Sequence, residues 1–333
     1  MAGTSRASRA ARSRVQPARP VVRDDADPRI HTTLSHLRGL EPRARSLSFL
    51  PHQPAQSILN GRHASRLRGR GLNFEELRTY LPGDDIRAID WKVTARTGEA
   101  YVRVMTEERD RPALIVVDQR MSMFFGSRLN MKSVTASEAA ALAAFRILDQ
   151  GDRVGGIVFG DQHLAEVRPQ RSRAALHRFL TALADANTLL HAEAPQVDPM
   201  PLTRVLRSVA NIARRDHLIL VLSDFDVVDA ETERLVSGLS RHNDLILGLV
   251  TDPTAQEVPE GLNLVVSDGE LQAEIDTGDA RTRQSLQEMS EGRLAQVLDW
   301  QRRFGVPVLP LSSAEETLPQ LRRLMGLGPG RRR

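Results

Sequence analysis

The sequence contains no cysteine among its 333 residues, which excludes disulfide bonds, thiolate metal sites and thiol catalysis. Aromatic residues make up only 4% of the chain, too few to indicate a platform on which nucleic-acid bases stack. The longest apolar runs, such as residues 218–222, are far too short to span a bilayer, and no apolar segment near the start resembles a secretory signal. We therefore expect a soluble, cytoplasmic protein whose hydrophobic content of 41% is enough to form a core.

Common catalytic motifs are also missing from the chain. No Gly-x-Ser-x-Gly elbow occurs, and residues 69–74 (GRGLNF) lack the third glycine of a dinucleotide-binding loop. Residues 118–121 (DQRM) resemble the Asp-x-Asp of aspartyl-phosphate hydrolases only superficially, because Arg120 stands at the second carboxylate. The nine histidines are scattered without the spacing of metal ligands. We therefore expect a protein that is not an enzyme.

The basic residues are concentrated at the two ends of the chain. Residues 1–23 hold six arginines and no acid, and residues 331–333 are three more arginines. Without these nine arginines the chain has 37 basic and 42 acidic residues, so its body is acidic. We predict disordered basic tails at 1–28 and 326–333. Such tails can bind nucleic acid or anionic lipid, and an Arg- and Ser-rich start is also typical of an organelle transit peptide.

From residue 112 onward, apolar runs alternate with helical segments. The predicted strands are 113–118, 154–159 with a hairpin partner at 163–168, 218–224, 245–250, a small hairpin at 262–266, and 306–311. The predicted helices are 133–150 (with Ser133 or Thr135 as N-cap), 172–186, 201–214, 231–241, 280–304 and 315–325. Continuous apolar runs indicate strands that are covered on both faces. The pattern therefore predicts a three-layer, doubly wound α/β domain with a mainly parallel sheet at 111–325.

The preceding part of the chain predicts an N-terminal, β-containing module at 29–110. A helix is expected at 29–40, followed by an irregular basic connection at 41–70. A short helix is expected at 73–80, a turn at 82–84 and a half-buried strand at 100–107.

Residues 71–104 combine many charges with large apolar side chains. The residues of this signature are Arg78, Tyr80, Asp84, Asp85, Arg87, Asp90, Trp91 and Arg96. We expect the three acids to pair with Arg78, Arg87, Arg96 or Arg103, and Tyr80 and Trp91 to provide an apolar anchor. Such a network would fix the orientation of the module more than it would stabilise it, because desolvation offsets much of the Coulomb energy. The alternative is a recognition surface for a partner.

Two predicted parallel strands each deliver an aspartate to the same edge of the sheet. Asp118 ends the first strand and is followed by Ser122, and Asp224 ends the strand at 218–224. In sheets of this kind, ligands bind beyond the carboxyl ends of the strands. Aspartate and serine oxygens are ligands for Mg²⁺, the one cofactor that this pattern indicates. The simpler interpretation is that Asp118 caps a helix or ties down its own loop.

Several motifs resemble one known family, the von Willebrand factor A-like proteins. The resemblance is to their bacterial MoxR-associated branch, known as domain of unknown function fifty-eight, and covers roughly residues 55–325. The motifs that carry it are GRHASRLRGRG (61–71), FEELRTYLPGDDIRAIDWKVTAR (74–96), TEERDRP (106–112), VVDQ..SM.FG (116–126) and GDRVGGIVFG (151–160). Some members of the family have transmembrane helices before this region, and this chain has none there.

The resemblance implies a metal-ion-dependent adhesion site in a degenerate form. Asp118, Ser122 and Asp224 match its ligands, but Arg120 replaces the middle serine, and Met200 replaces the expected threonine, although Thr203 is close. Arg120 then has two arrangements open to it. It points away from the site, or it takes the place of the metal by pairing with Asp118 and Asp224. We favour a site without a tightly bound metal.

The resemblance also implies a partner, a MoxR-type AAA+ ATPase, for which this chain would act as an adaptor or co-chaperone toward an unknown client protein. Residues 121–128 (MSMFFGSR) follow the first strand and form an apolar docking patch if they are exposed, or a seal under the loop if Phe124 and Phe125 fold inward. The predicted partner contacts are Arg120, Met123, Phe124 and Asp226. The alternatives are a metal-assisted hydrolase that uses Asp118 and Asp224, and nucleic-acid binding by the arginine-rich tails.

Overall fold

The computed structural model describes most of the chain between Asp27 and Met325. The described residues are 27–47, 72–81, 86–107, 111–192, 194, 197–255, 263–267, 272–276, 292 and 294–325. The tails predicted at 1–28 and 326–333 lie outside these residues, apart from 27–28, and so do the turn at 82–84 and residues 48–70 of the connection predicted at 41–70. The start of that connection is not irregular, because Glu41–Ala44 form a helix. No helix in the described ranges is both long and apolar enough to cross a lipid bilayer.

The elements alternate between strands and helices along most of the chain. The helices are α1 (Leu34–Gly39), α2 (Glu41–Ala44), α3 (Trp91–Thr97), α4 (Lys132–Asp149), α5 (Arg173–Asn187), α6 (Leu202–Ile212), α7 (Ala230–Ser240), α8 (294–304) and α9 (Thr317–Leu324). The strands are β1 (Leu72–Thr79), β2 (Tyr101–Glu107), β3 (Pro112–Asp118), β4 (Arg153–Phe159), β5 (Leu164–Gln170), β6 (Leu218–Ser223), β7 (Asp244–Thr251), β8 (Asn263–Ser267), β9 (Gln272–Asp276) and β10 (Val308–Ser312).

Six of these strands form one sheet in the order β10-β7-β6-β3-β4-β5. All neighbours are parallel except β5, which runs antiparallel to β4 as a hairpin. The central strand is β3, whose Val116 pairs with Ile157 on one side and Val221 on the other. The apolar runs therefore form strands with both faces covered, as predicted. The mixed α/β class and the mainly parallel sheet are confirmed.

Helices cover both faces of the sheet and form a hydrophobic core on each. On β3, Ile115 and Val117 face the core made by α1, α2, α4, α5 and α9. The intervening residues Leu114 and Val116 face the core made by α6, α7 and α8. The two-residue side-chain period of a strand divides the run in this way. This arrangement is compatible with a three-layer α/β fold.

The two glycines of β4 allow close packing on both sides of that strand. A Cβ at Gly156 would lie 2.1 Å from Cε2 of Phe179 on α5. A Cβ at Gly155 would lie 2.3 Å from the carbonyl oxygen of Val167 on β5. Close packing therefore explains the two glycines of the GDRVGGIVFG motif, because any side chain at these positions would displace a neighbouring residue.

The first two helices pack into the core of the sheet domain. Leu37, Leu40, Ala44 and Leu47 are buried in the same core as α4 and α5. The predicted boundaries had placed these residues with the N-terminal module. Their apolar side chains, spaced three to four residues apart, form one stripe that needs a partner to be buried.

The N-terminal module contains a β-hairpin with a short helix in its connection. The helix predicted at 73–80 is wrong, because this stretch is strand β1, paired antiparallel with β2. Cross-strand pairing overrides the local helical preference, which is weak in so short a segment. The strand predicted at 100–107 is confirmed as β2.

Helix α3 was not predicted, although both of its ends carry recognisable signals. The side chain of Asp90 accepts hydrogen bonds from the backbone N–H groups of Lys92 and Val93 at 3.1 and 3.2 Å. Gly98 ends the helix in the left-handed conformation, with φ at 79°. An N-cap aspartate and a terminal glycine therefore bound this helix.

Most other predicted elements are confirmed, with some corrections in detail. The N-cap of α4 is Met131, so the prediction of Ser133 or Thr135 is wrong. Strands β8 and β9 form the predicted small hairpin as a separate two-stranded sheet. Of the helix predicted at 280–304, residues 294–304 form α8, and most of the remainder lies outside the described residues.

Candidate functional site

Acidic residues follow three neighbouring parallel strands. Asp118 is the last residue of β3, Asp224 directly follows β6, and Asp252 directly follows β7. Because the strands are parallel and adjacent, their carboxyl ends meet at one edge. The predicted convergence of Asp118 and Asp224 is confirmed by the contacts that both make with one side chain, described next. We use the term acidic rim for the residues at this edge, which are Asp118, Arg120, Ser122, Asp161, Asp224 and Asp226.

The guanidinium of Arg120 lies among three carboxylates of the acidic rim. Its Nε and Nη2 bind Oδ1 and Oδ2 of Asp118 at 3.0 and 2.6 Å, as a two-point ion pair. The same Nη2 lies 2.6 Å from Oδ1 of Asp226 and 3.9 Å from Oδ1 of Asp224. Of the two arrangements predicted for Arg120, the structure shows the one in which the guanidinium pairs with the carboxylates.

Arg120 is fixed in this position by the chain around it. Its backbone N–H donates to Oδ1 of Asp118 at 3.0 Å, so main chain and side chain bind the same carboxylate. The ring of Phe159 lies under the guanidinium, 5.5 Å from centroid to Cζ. The carbonyl oxygen of Met200 lies 3.5 Å from Nη1. Only 2% of the Arg120 side chain is exposed, so solvent does not compete for it.

The loop after β6 brings Asp226 back toward the guanidinium. Phe225 adopts a left-handed conformation, with φ at 49°, and its ring is fully buried edge-on against Trp300. A bulky residue rarely adopts this conformation, and the buried ring holds it there. The hydroxyl of Ser223 accepts from the N–H of Phe225 at 3.0 Å and donates to Asp118 at 2.6 Å. The turn is therefore tied to the same carboxylate that binds Arg120.

A second cation contributes to the charge balance of the rim. Nζ of Lys132, in the first turn of α4, donates to Oδ2 of Asp224 at 2.7 Å. Burial raises the pKa of Asp118, and the guanidinium of Arg120 acts in the opposite direction. Burial opposes the charge of Arg120, but the surrounding carboxylates raise its pKa above its usual value. Burial also raises the pKa of Asp161, which accepts a 3.1 Å hydrogen bond from the N–H of Met121.

The rim residues do not fit a divalent metal ion. An ion bound by Asp118, Ser122 and Asp224 would lie close to the guanidinium of Arg120. At about 4 Å the repulsion is about 8 kcal/mol for an effective dielectric near 20, against about 4 kcal/mol for binding with a millimolar Kd. Among the described residues, no group of three or more acids and histidines is arranged to hold a metal.

Two of the four predicted partner contacts are buried and two are accessible. Arg120 is 2% exposed and Met123 is fully buried, so neither side chain contributes to the surface in this structure. Arg120 forms the ion pair with Asp118, and Met123 packs in the hydrophobic core. Phe124 is partly buried and stacks on His31 with 5.6 Å between ring centroids. The side chain of Asp226 is 21% exposed.

Other apolar side chains near the rim are exposed. Met121 and Phe125, from the segment singled out in the sequence, are 38% and 45% exposed, and Val227 is 64% exposed. Phe125 therefore does not fold under the loop, which was one of the two alternatives for it. The loops after β3 and β6 thus present apolar side chains next to their acidic residues.

The sequence reasoning missed Asp252, which joins three loops at this edge. Its carboxylate accepts from the N–H and hydroxyl of Ser127 at 2.9 and 2.6 Å, and from the hydroxyls of Thr254 and Ser313. Burial alone would raise the pKa of Asp252, but these donors outweigh it and lower the pKa to about 2. The signal was present, because an aspartate follows this apolar run as it follows the runs of β3 and β6.

Gln119 was also missed, and no sequence pattern indicates its role. Its side chain is 1% exposed. Nε2 lies within hydrogen-bond distance of the carbonyl oxygens of Asp118 and Ser133, both at 3.0 Å, and of Oγ of Ser137 at 3.1 Å. Gln119 therefore attaches the rim loop to the first turns of α4.

The structure describes only part of the charged signature. Asp90 is the N-cap of α3, and Trp91 is 66% exposed, so the prediction of Trp91 as an apolar anchor is wrong. The guanidinium of Arg78 donates to the carbonyl oxygen of Thr79 at 3.2 Å. Tyr80 is partly buried, and Arg87 and Arg96 are exposed. Asp84 and Asp85 lie outside the described residues.

Together, the fold and the rim define a mixed α/β protein with a buried, ion-paired site at the carboxyl edge of its main sheet. A family model described as "Protein of unknown function DUF58" matches residues 76–294, and the chain belongs to this family. The chain is 27% identical over 282 residues to uncharacterized proteins of Mycobacterium bovis and Mycobacterium tuberculosis. These matches cover 84% of this chain and 87% of each relative.

Proposed function

We propose that this chain is a non-enzymatic, von Willebrand factor A-like interaction protein that binds a partner protein at its acidic rim. The partner that the resemblance indicates is a MoxR-type AAA+ ATPase, with this chain as its adaptor or co-chaperone toward a client. The proposal depends on one observation. The buried ion pairs of Arg120 hold the loops of the rim together, and exposed apolar residues lie on the same loops. The ion pairs of Arg120 with Asp118, Asp224 and Asp226 support the interpretation of this edge as a degenerate adhesion site in which the guanidinium takes the place of the metal.

The surface around the rim has the composition of a binding site. Met121, Phe125 and Val227 are exposed beside the partly exposed carboxylate of Asp226. Apolar side chains with adjacent charged groups are typical of interaction surfaces, in which the apolar part provides affinity and the charges provide specificity. The four rim carboxylates outnumber the two cations Arg120 and Lys132. The partner surface is therefore expected to be basic at its centre.

The hydrolase alternative has less support. A metal-assisted hydrolase needs a metal and an accessible base. Asp118 is fully buried and bound at two points by Arg120, and Asp224 is paired with Lys132. Neither carboxylate is therefore positioned to accept a proton from water. Nucleic-acid binding by the tails concerns arginines outside the described residues.

A second exposed surface lies in the N-terminal module and supports the recognition interpretation of the charged signature. Leu81, Ile86 and Trp91 are 58%, 64% and 66% exposed. These large apolar residues come from the most specific motif shared with the family. An adaptor needs two surfaces, one for the ATPase and one for the client. We propose that the signature surface and the rim divide these two tasks.

The proposal is tested by co-purification with the MoxR-type ATPase encoded in the same cell. A tagged wild-type chain should retain the ATPase, and Phe125→Asp should lower its recovery at least about tenfold, because a buried contact would gain an unpaired charge. Leu298→Asp is the matched control, since it alters a similarly exposed side chain on α8 and should leave recovery unchanged. Equal recovery with Phe125→Asp, or no ATPase with the wild type, would contradict the proposal.

A further inference from the structure

A cavity is lined by residues of α2, the end of α4 and the start of α5, far from the acidic rim. Its volume is about 290 Å³, close to the lower limit for sites that bind small molecules. Lys132, in the first turn of α4, contacts the rim, whereas Arg146 and Asp149, in the last turn, line the cavity. Helix α4 has 18 residues and is about 27 Å long, so the two sites are separate.

Arginine side chains dominate the charge of this cavity, although the body of the chain is acidic. Its charged lining residues are the four bases Arg45, Arg146, Arg171 and Arg173 and the two acids Glu41 and Asp149. We use the term arginine cavity for this site. Its lining carries an excess of two positive charges. A phosphate monoester carries a charge of about −1.5 to −2 at pH 7, so such a ligand would balance the lining.

Arg146 has a hydrogen-bond donor that the described part of the chain leaves unused. Its Nε is buried and has no hydrogen-bond partner among the described residues. Its Nη1 donates to Oδ2 of Asp149 at 3.1 Å. A buried N–H group without a partner is rare, because it has given up its hydrogen bond to water. An oxyanion in the cavity would supply the missing acceptor, and the edge of a guanidinium can bind two phosphate oxygens at once.

The arginine cavity also has apolar walls. Phe145 and Leu176 are 8% and 3% exposed and line it together with Leu148. Arg173 is 78% exposed and binds Glu41 on α2 at 2.9 Å, which places this pair where the cavity meets solvent. The lining can therefore contact both a charged group and a small apolar group of one ligand.

We propose that the arginine cavity binds a small phosphate monoester whose organic part is apolar. Its phosphate group lies among the guanidinium groups and accepts from Nε of Arg146. Its apolar part lies against Phe145 and Leu148. Glu41 and Asp149 hold Arg173 and Arg146 in position. The proposal depends on neither the acidic rim nor a partner protein.

The test is a calorimetric titration of the whole chain with phenyl phosphate, at low ionic strength and pH 8, where this compound carries about two negative charges. One molecule should bind per chain. Phenyl sulfate is similar in shape but has a single charge, and it should bind at least about tenfold more weakly. Inorganic phosphate should bind at least about threefold more weakly, because it has no apolar group to bury.

Variants of the lining locate the binding site. Arg146→Gln should weaken binding of phenyl phosphate at least about tenfold, because it removes a charged donor. Arg173→Gln and Arg178→Gln are a matched pair of exposed arginines on α5, of which only the first lines the cavity. Arg173→Gln should weaken binding about threefold or more, and Arg178→Gln should change it less than about twofold.

Asp149→Asn should strengthen binding at least about threefold, since it removes a carboxylate that competes for Arg146. A gain in affinity does not arise from misfolding, so this variant tests the site even if Arg146→Gln does not fold.

Four results would overturn the proposal. The first is a wild-type chain that does not bind phenyl phosphate. The second is equal affinity for phenyl sulfate or for inorganic phosphate. The third is the same loss of affinity in Arg178→Gln as in Arg173→Gln, which would show an effect of overall charge. The fourth is an Asp149→Asn variant that binds no more tightly than the wild type. None of these measurements involves the ATPase, so this proposal and the proposed function fail separately.

Discussion

Nδ2 of Asn187, near the end of α5, donates a 2.9 Å hydrogen bond to Oε1 of Gln119, at the start of the rim loop. The other end of the same amide, Oδ1, accepts from the N–H of Thr32 at 2.7 Å. All three residues are at most 1% exposed. The rim loop, α5 and the segment that leads into α1 are therefore joined by one buried polar network, and the position of the rim depends on residues far from it in sequence.

Asn187→Ala is expected to lower the free energy of unfolding by about 2–3 kcal/mol. The change leaves Oε1 of Gln119 and the N–H of Thr32 buried without their partner, and each orphaned group costs about 1–3 kcal/mol. Urea unfolding measures the effect. The matched control is Asn211→Ala on the exposed side of α6, which should change stability by less than about 0.5 kcal/mol. A similarly small change for Asn187→Ala would show that the network contributes little to the free energy of unfolding.

The ion pair of Asp118 and Arg120 should appear as strong coupling in a double-mutant cycle. Arg120→Met should cost about 3–5 kcal/mol, because it leaves Asp118 buried and unpaired. Asp118→Asn should cost less, since Arg120 still pairs with Asp226. The double variant should be more stable than the sum of the two losses predicts, by at least about 2 kcal/mol. Additive losses, measured by denaturant unfolding, would mean that the pair does not act as a unit.

Asp252 should make the protein more stable at neutral pH than at low pH. Its pKa falls from 3.8 to about 2 on folding. A lowered pKa stabilises the fold above the unfolded value, and this contribution disappears as the pH falls from about 4 to about 2. Asp252→Asn should therefore cost about 2 kcal/mol at pH 7, and the difference from the wild type should narrow below pH 4.

The Asp252 prediction is checked by urea unfolding between pH 2.5 and 7. Ser127→Ala is a graded comparison, since it removes one hydroxyl donor and leaves the backbone N–H of Ser127 in place. Its effect should be smaller than that of Asp252→Asn and should narrow over the same pH range. A constant difference across this range would contradict the lowered pKa.

Gly156→Ala should destabilise the fold by about 1–3 kcal/mol, the usual cost of overpacking a core. The added Cβ would lie 2.1 Å from the ring of Phe179 and 2.7 Å from the carbonyl oxygen of Ile115. Combining it with Phe179→Leu should recover part of the loss. Gly238→Ala on α7 is the control, because its Cβ would meet nothing within 4 Å, and it should stabilise the helix by up to about 1 kcal/mol. Thermal or urea unfolding shows whether each substitution lowers or raises the free energy of unfolding.

The sequence predicted the central sheet well because its signal is local and repeated. Each buried parallel strand is a continuous apolar run, and β3, β4, β6 and β7 all have one. Of the hairpin of β1 and β2, only β2 was predicted, because the signal for β1 is not local. Strand β1 carries charges at successive positions, and it is a strand because of its partner. Pairing between distant segments is what local preference does not encode.

The candidate site was predictable only in part, because it also depends on contacts between segments that are distant in sequence. The convergence of Asp118 and Asp224 follows from two runs that end in aspartate in a parallel sheet. The position of Arg120 depends on the turn at Phe225, whose left-handed conformation brings Asp226 into contact. The exposure of Trp91 likewise depends on tertiary packing, since an aromatic residue in a charged segment is equally consistent with an anchor and with a surface contact.

The two tryptophans of the chain provide the last prediction, because one is exposed and the other is buried. Trp91→Ala should change the free energy of unfolding by less than about 1 kcal/mol, since 66% of this residue is already in water. Trp300→Ala should cost about 3–5 kcal/mol, because Trp300 is fully buried against Phe225. If the signature surface binds the ATPase or the client, Trp91→Ala should also lower recovery of that protein at least about tenfold in co-purification. A stable Trp91→Ala variant that retains both proteins would remove the signature surface from the proposal and leave the acidic rim as the single binding surface.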